Sequence, residues 1–237
     1  MKRRLKITGF IVFVTLLMIS VFPSAFFRHG LAGSLDEAAE IFGIAFILLG
    51  QIFRASARGY KSEHSASGNM LIQTGPYAIV RNPMYLGILL IGLGIVLMLF
   101  WWWAIFIFLS VFALRYLLLI VREEKKLTAA FPQEYAEYQK KTPRLLPSFS
   151  RLLRNDVSEY LPLKSAWLKK EAGSILAVLL ITILIESWED ISHEGAAGYL
   201  REAPGLAITV ILFMCLVVYL SARTKGQDVS HKSKTTA

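Results

Sequence analysis

MYLGILLIGLGIVLMLFWWWAIFIFLSVFALRYLLLIV, residues 84–121, is a run of 38 residues with one charged side chain, Arg115. A single α-helix of this length would measure about 57 Å at roughly 1.5 Å per residue, whereas the hydrocarbon core of a bilayer is about 30 Å thick. The run is therefore predicted to form two membrane spans. The break is expected at Trp101, Trp102 and Trp103, because indole rings prefer the level of the lipid headgroups.

The composition of the whole chain indicates a membrane protein. Of its 237 residues, 55% are hydrophobic and 18% are charged, which is too apolar for an ordinary soluble domain. The lone Cys215 and four scattered histidines predict neither a disulfide framework nor a metal site. We expect an all-α fold, a polytopic membrane protein of about six transmembrane helices that includes one helical hairpin. The four spans outside the hairpin are expected at 7–27, 38–53, 174–185 and 206–221.

The distribution of lysine and arginine predicts the orientation in the membrane. With the N-terminus inside, 23 of the 26 lysines and arginines fall on cytoplasmic segments, as the positive-inside rule requires. The net charge of +9 is then a topology signal, and nucleic-acid binding is not expected. The start MKRRLK and the apolar stretch after it are similar to a signal peptide, but the stretch is long and lacks an A-x-A type cleavage site. We expect an uncleaved first helix, both termini in the cytoplasm, and a location in the inner membrane of a bacterium.

A first motif, TGPYAIVRNPMYLG (residues 74–87, the first block), lies where the hairpin begins on the cytoplasmic side. Part of it is explained by the start of a helix. Asn82 can cap the helix with its side-chain oxygen, and Pro83 suits the first helical position because it has no N–H to leave unbonded.

Four other residues of the first block are not explained by a helix start. Gly75 permits a turn in which the backbone approaches a ligand closely. Tyr77 and Arg81 are four residues apart and share one face if the segment between them is helical, and Tyr85 continues that face. Two interpretations of Arg81 remain open, because an arginine at a membrane surface also serves as an anchor for lipid phosphates.

A second motif, REEKKLTAAFPQEYAEYQKKTPRLLPSF (residues 122–149, the second block), follows the hairpin. Glu123 and Glu124 stand at the end of a helix, where the macrodipole disfavours negative charge. Two acids in that place indicate a function. The structural alternative is a solvated charge cluster with the neighbouring residues Arg122, Lys125 and Lys126.

Two further features of this region have a structural and a functional interpretation. Tyr135 and Tyr138 are three residues apart on a predicted amphipathic helix that begins near Pro132, and interfacial packing alone would explain them. Arg115 lies inside a predicted span, where an unpaired charge costs several kcal/mol. It is therefore expected to point inward or to pair with an acid such as Glu123, and it is a candidate functional residue.

The two blocks together resemble a family of integral-membrane methyltransferases that includes isoprenylcysteine carboxyl methyltransferase and the phospholipid N-methyltransferases. The resemblance covers roughly residues 40–150 and rests on GPYAIVRNPMYLG, followed in order by EEKKL, FPQEYAEY and PRLLP. It implies that both blocks fold over S-adenosylmethionine in a helical site at the cytosolic face. A lipophilic small molecule or lipid would enter from the bilayer as methyl acceptor. The family's histidine six residues before the motif glycine is Asn69 here, and its Arg-His-Pro is Arg81-Asn82-Pro83.

The resemblance also implies roles for individual residues. Arg81, Glu123 and Arg115 are expected in catalysis. Arg81 would hold the methionine carboxylate or orient the acceptor, Glu123 would accept from the ribose or the ammonium group, and Arg115 would bind an anionic part of the acceptor. The cofactor pocket is expected to comprise Asn69, Gly75, Tyr77, Arg81, Asn82, Pro83, Tyr85, Glu123, Glu124 and Tyr135.

The expected organisation of the chain follows from the spans and the resemblance. A methyltransferase core stands between an N-terminal helix and a C-terminal helix pair, which lies outside the resemblance. The five parts are an N-terminal transmembrane helix (1–34), the core (35–150), a cytosolic or interfacial linker (151–173), the C-terminal transmembrane helix pair (174–223) and a tail (224–237).

Other classes of function remain open from the sequence. A soluble type of methyltransferase is excluded, because the chain has no G-x-G-x-x-G motif and no strand–helix alternation. The membrane architecture also resembles the C-terminal part of steroid reductases, which use a nicotinamide cofactor. A non-enzymatic lipid-binding protein would keep the helices but not need the paired blocks. A transporter would be expected to have inverted repeats, which the sequence does not show.

Overall fold

The computed structural model describes residues 34–65, 70–147 and 156–193, together with scattered residues between 208 and 224. Within these residues the fold is all-helical without β-strands, which confirms the predicted class. The predicted span 7–27 lies outside the described residues, and most of the span 206–221 does so too. The count of six transmembrane helices therefore stays a prediction.

The described helices follow the order in which the apolar runs occur. Two segments are long and apolar enough to cross a membrane, Ala38–His64 and Trp103–Ala130. The helices are α1 (Ser34–His64), α2 (Pro76–Ile79), α3 (Pro83–Leu99), α4 (Trp103–Phe112), a π-helical turn (Ala113–Leu117), α5 (Leu118–Ala130), α6 (Pro132–Lys141), α7 (Val157–Tyr160) and α8 (Ser165–His193).

The predicted hairpin is present, and it turns at the tryptophans. Helix α3 ends at Leu99, Phe100 is extended, and α4 begins at Trp103. Trp102 is 68% exposed at the tip of the turn, as expected for an indole ring at an interface. The outward faces of α4 and α5 carry exposed apolar side chains, which suits contact with lipid. They include Phe106, Ile107, Val111, Leu114 and Leu118.

Helices α1 and α3 pack closely at two pairs of glycines. A Cβ atom on Gly50 would lie 2.6 Å from the carbonyl oxygen of Gly87, and one on Gly43 would lie 2.8 Å from that of Gly94. The two pairs recur at the same interval in antiparallel helices, so the backbones stay in contact over that length. Small residues allow such an approach, and it is a common basis for association of membrane helices. The packing holds the start of α3, and with it the first block, against α1.

Several helices are longer than the apolar runs that predict them. Helix α1 continues to His64 instead of ending at Phe53, and α5 continues to Ala130 beyond Val121. Helix α8 begins at Ser165, before the predicted span at 174. Hydropathy predicts only the apolar part of a helix and gives no signal for charged residues that continue it. The charged ends continue the helix because most of their residues are compatible with it.

Polar contacts join the segment before α8 and the first turns of α8 to the end of α1. Ser56 Oγ donates a buried hydrogen bond to the carbonyl of Pro162 at 2.7 Å. Trp167 Nε1 donates to Glu63 Oε1 at 2.7 Å. The C-terminal end of α1 therefore contacts the first block on one side and α8 on another.

Candidate functional site

The first block is divided by Gly75 and Val80. Gly75 has φ 58° and ψ −134°, in a region that favours glycine, and a Cβ there would lie 2.8 Å from the ring of Tyr60. The close approach at Gly75 is thus made by Tyr60, which lies across from it on α1. Helix α2 has only four residues before Val80 becomes extended with φ −152° and ψ 136°.

This division corrects the expectation that Tyr77 and Arg81 share one helical face. Because the helix ends at Ile79, Arg81 follows an extended residue and turns toward the second block. Its backbone N–H donates to the carbonyl of Pro143 at 2.8 Å. The PRLLP segment of the second block is thereby attached to the first block.

Asn82 also differs from its predicted role. It is the N-cap residue of α3, and Pro83 occupies the first turn as expected, but the Asn82 side chain makes no capping hydrogen bond. Its Nδ2 donates instead to the carbonyl of Arg144 at 3.0 Å and to Glu124 Oε1 at 3.4 Å. The side chain thus links the two blocks.

Glu124 stands at the centre of the site. Its side chain is 5% exposed, and Oε2 accepts from Arg144 Nε at 3.1 Å and from Nη2 at 2.8 Å. On its other side Oε1 lies 3.3 Å from Nη1 of Arg81. One buried carboxylate thus lies between an arginine of the first block and an arginine of the second. The alternative of a solvated charge cluster does not explain this burial. The neighbours Arg122, Lys125 and Lys126 are exposed.

Glu123 points elsewhere, because consecutive residues of a helix diverge by about 100°. It is exposed and accepts a hydrogen bond from Tyr85 Oη at 2.8 Å. Tyr85 therefore belongs to the site, as expected, through Glu123. Glu123, which was predicted to act in catalysis, is therefore more accessible to solvent than Glu124.

Buried tyrosines form the wall of the site toward α6. Tyr135 and Tyr138 are 1% and 3% exposed, and their rings meet edge-on with centroids 5.9 Å apart. Tyr138 Oη donates to the carbonyl of Tyr77 at 2.6 Å. Burial raises the pKa of Tyr77, Tyr135 and Tyr138 above that of a free phenol, so all three stay protonated at neutral pH. Packing at a membrane interface alone would not explain the burial of Tyr135 and Tyr138 or the hydrogen bond from Tyr138 to the first block.

Arg115 lies apart from this network. It is exposed in the π-helical turn, and its guanidinium carbon is 5.8 Å from the centroid of the Tyr116 ring. Tyr116 in turn contacts Tyr85, with ring centroids 5.7 Å apart. In the part of the chain that the structure describes, no ion pair joins Arg115 to Glu123. The predicted pair is therefore not formed, and an aromatic path connects Arg115 to the site instead.

Two donor atoms of Arg81 are left without hydrogen bonds in this arrangement. The side chain is 10% exposed, and neither Nε nor Nη1 makes a hydrogen bond of acceptable geometry to any described residue. Buried charged donors without acceptors are costly, commonly by about 1–3 kcal/mol or more. Nη1 still has the charge of Glu124 beside it at 3.3 Å, so Nε is the donor best suited to an acceptor from a ligand.

The sequence did not indicate the role of Arg144, and the predicted residue Asn69 is not among the described residues. Arg144 was quoted only as part of the PRLLP motif, although it holds Glu124 with two hydrogen bonds. Among the other predicted residues, Asn82 contacts Glu124 directly, Tyr85 contacts Glu123, and Gly75 packs against Tyr60 of α1, while Arg115 reaches the site only through Tyr116.

Comparison with known proteins gives matches to the same region. Residues 38–134 match the family described as phospholipid methyltransferase. The cobalt-zinc-cadmium resistance protein CzcN of Cupriavidus metallidurans is 34% identical over 139 residues, which cover 59% of this chain and 61% of the relative. The match thus spans about three-fifths of that curated relative. No solved structure matches the chain significantly. The resemblance indicated by the two blocks is confirmed to the extent that residues 38–134 match the phospholipid methyltransferase family.

Proposed function

We propose that the protein is an S-adenosylmethionine-dependent methyltransferase that acts on a lipophilic acceptor at the cytosolic face of a membrane. The observation that carries this proposal is the buried guanidinium of Arg81, whose Nη1 is paired with Glu124 and whose Nε makes no hydrogen bond with any described residue. It lies where the two blocks meet. The phospholipid methyltransferase match over residues 38–134 supports the same class of reaction.

The residues suit two of the cofactor's charged groups, the carboxylate and the ammonium group of its methionine part. The buried guanidinium of Arg81 offers positive charge and an unbonded Nε–H to the carboxylate. Glu123 is exposed on another face of α5, where it accepts from Tyr85, and its carboxylate would suit the ribose hydroxyls or the ammonium group. Glu124 and Arg144 would hold Arg81 in place. The proposed pocket keeps the predicted set of Asn69, Gly75, Tyr77, Arg81, Asn82, Pro83, Tyr85, Glu123, Glu124 and Tyr135.

The catalytic contribution of the chain would consist mainly of positioning. When bound, S-adenosylmethionine supplies a methyl group on a sulfonium for attack by a lone pair of the acceptor. Such a reaction needs an aligned approach and exclusion of water, and no protein nucleophile. The buried rings of Tyr135 and Tyr138 would exclude water from the cytosolic side, and Glu124 would keep Arg81 oriented.

The acceptor would approach from the lipid-facing side of the hairpin. The apolar outer faces of α4 and α5 are exposed, and the rings of Tyr116 and Tyr85 lead from that side toward Glu123. Arg115 would attract an anionic part of the acceptor at the entrance. The acceptor class that follows is a carboxylate or amine of an isoprenoid, lipid or lipidated molecule.

Binding of the cofactor is expected to stabilise the purified protein. A ligand that binds only the folded state adds about 2.7 kcal/mol when it is present at a hundredfold excess over its Kd. An upward shift of the melting temperature with S-adenosylmethionine is therefore expected, measured in detergent with NADPH as the control ligand. A shift with NADPH alone would favour a nicotinamide-dependent reductase instead.

The proposed orientation predicts the location of three reporter fusions. Reporters fused after Arg154 and after Lys225 are expected to report cytoplasm, while one inserted near Gly195 is expected to report the outside, because the lysines and arginines cluster on one side. Paired alkaline phosphatase and fluorescent protein fusions would measure this in a bacterial host. A cytoplasmic signal at Gly195 would contradict a C-terminal helix pair and leave the site unaffected.

A further inference from the structure

A cavity lies between α1 and α8, and none of its lining residues belongs to either block. Its volume is about 350 Å³. The indole ring of Trp167 packs directly against Gly59 at one wall. The polar residues that line it are Arg58 and Ser62 of α1 with Lys170, Glu171 and Ser174 of α8.

The charge balance at this cavity is positive. Glu171 is the one acid in its lining and is 8% exposed, with Oε1 2.8 Å from Arg58 Nη1. Its second oxygen lies 3.8 Å from Nη2 of Arg54. The single carboxylate is thus shared by two arginines, so that one positive charge remains. Lys170 adds another, because it is exposed and forms no ion pair with any residue that the structure describes.

The position of the cavity suits a lipid. The end of α1 and the start of α8 both lie on the side where lysine and arginine predict the cytoplasm. Further along α8, Leu176 and Leu180 are 65% and 59% exposed on the face turned away from the cavity, so this part of the helix is accessible to lipid. Basic pockets between membrane helices at the cytoplasmic face bind the headgroups of anionic lipids.

We propose that this cavity binds the phosphate of an anionic phospholipid from the inner leaflet. Lys170 and Arg58 bind the phosphate oxygens, and the hydroxyls of Ser62 and Ser174 lie at the same opening. The acyl chains extend from the opening into the bilayer. The inference rests on the proposed orientation in the membrane and does not require methyl transfer.

Retention of lipid by the full-length protein tests the proposal without the cofactor. The protein is purified in detergent with an equimolar mixture of phosphatidylglycerol and phosphatidylcholine, and native mass spectrometry gives the ratio of the two lipids retained. Lys170→Gln is expected to lower the preference for phosphatidylglycerol by about fivefold, as loss of one basic residue near a membrane surface does. Lys169→Gln is the matched control. It removes the same charge from an exposed neighbour that does not line the cavity, and no change is expected.

One further variant and one competition experiment test the cavity from the side of α1 and distinguish a lipid from a free anion. Ser62→Asp places a negative charge at the opening from the other helix, and it is expected to lower the same ratio. Excess inorganic phosphate is expected to leave the retained lipid in place. The proposal is overturned by equal effects of the variants at positions 169 and 170, by an unchanged ratio in Ser62→Asp, or by displacement of the lipid by phosphate, which would indicate a site for the free anion.

Discussion

Glu124→Gln is expected to lower the free energy of unfolding by about 3 kcal/mol, at the lower end of what loss of one partner from a buried ion pair costs. The substitution keeps the size of the side chain but removes the charge that lies between Arg81 and Arg144. Arg81 is 10% exposed and has no other acid in contact among the described residues, whereas Arg144 is 48% exposed and regains water. The loss therefore comes mainly from Arg81. The melting temperature and a denaturant titration of the purified protein would measure it.

Glu123→Gln is the matched control for this prediction. The two acids are adjacent on α5, but Glu123 is exposed and accepts one hydrogen bond, from Tyr85. Its loss is expected to cost less than about 1 kcal/mol, although binding of the cofactor is expected to weaken. Equal stability of the two variants would show that Glu124 does not hold the blocks together.

The hairpin could be predicted because its signals are local. Length, hydropathy and the tryptophans at 101–103 depend only on neighbouring residues and on the thickness of a bilayer, and the helices α3 and α4 meet there as expected. The helix ends at His64 and Ala130 could not be predicted from hydropathy, because the charged ends lie outside the lipid and carry no apolar signal.

The contacts of the site could be predicted only in part. The sequence indicates that the two blocks act together, but it does not distinguish Glu123 from Glu124, since which acid is buried depends on the rotation of α5 against the first block. The Asn82 side chain could cap α3 locally, but it donates instead to the backbone carbonyl of Arg144, which is 62 positions away in sequence. The role of Arg144 could not be predicted either, because its partners Glu124 and Asn82 are distant in sequence.

Arg81→Lys is expected to weaken binding of S-adenosylmethionine, and to lower methyl transfer, by about tenfold or more, while folding and membrane insertion persist. Lysine keeps the positive charge that Glu124 needs, so the ion pair between the blocks survives. It has a single nitrogen, however, and lacks the planar set of N–H donors with which Arg81 would bind Glu124 and a ligand carboxylate at the same time.

The control for this prediction is Arg122→Lys, an exposed arginine on α5 next to the two acids, where only the positive charge is expected to matter. Isothermal titration with S-adenosylmethionine would compare the Kd values of both variants with that of the unmodified protein, and melting temperatures would confirm that all three are folded. If Arg81 were only an anchor for lipid phosphates, lysine would replace it as freely as it replaces Arg122. Equal and small effects at the two positions would therefore return the first block to a structural role and remove the main support for cofactor binding at Arg81.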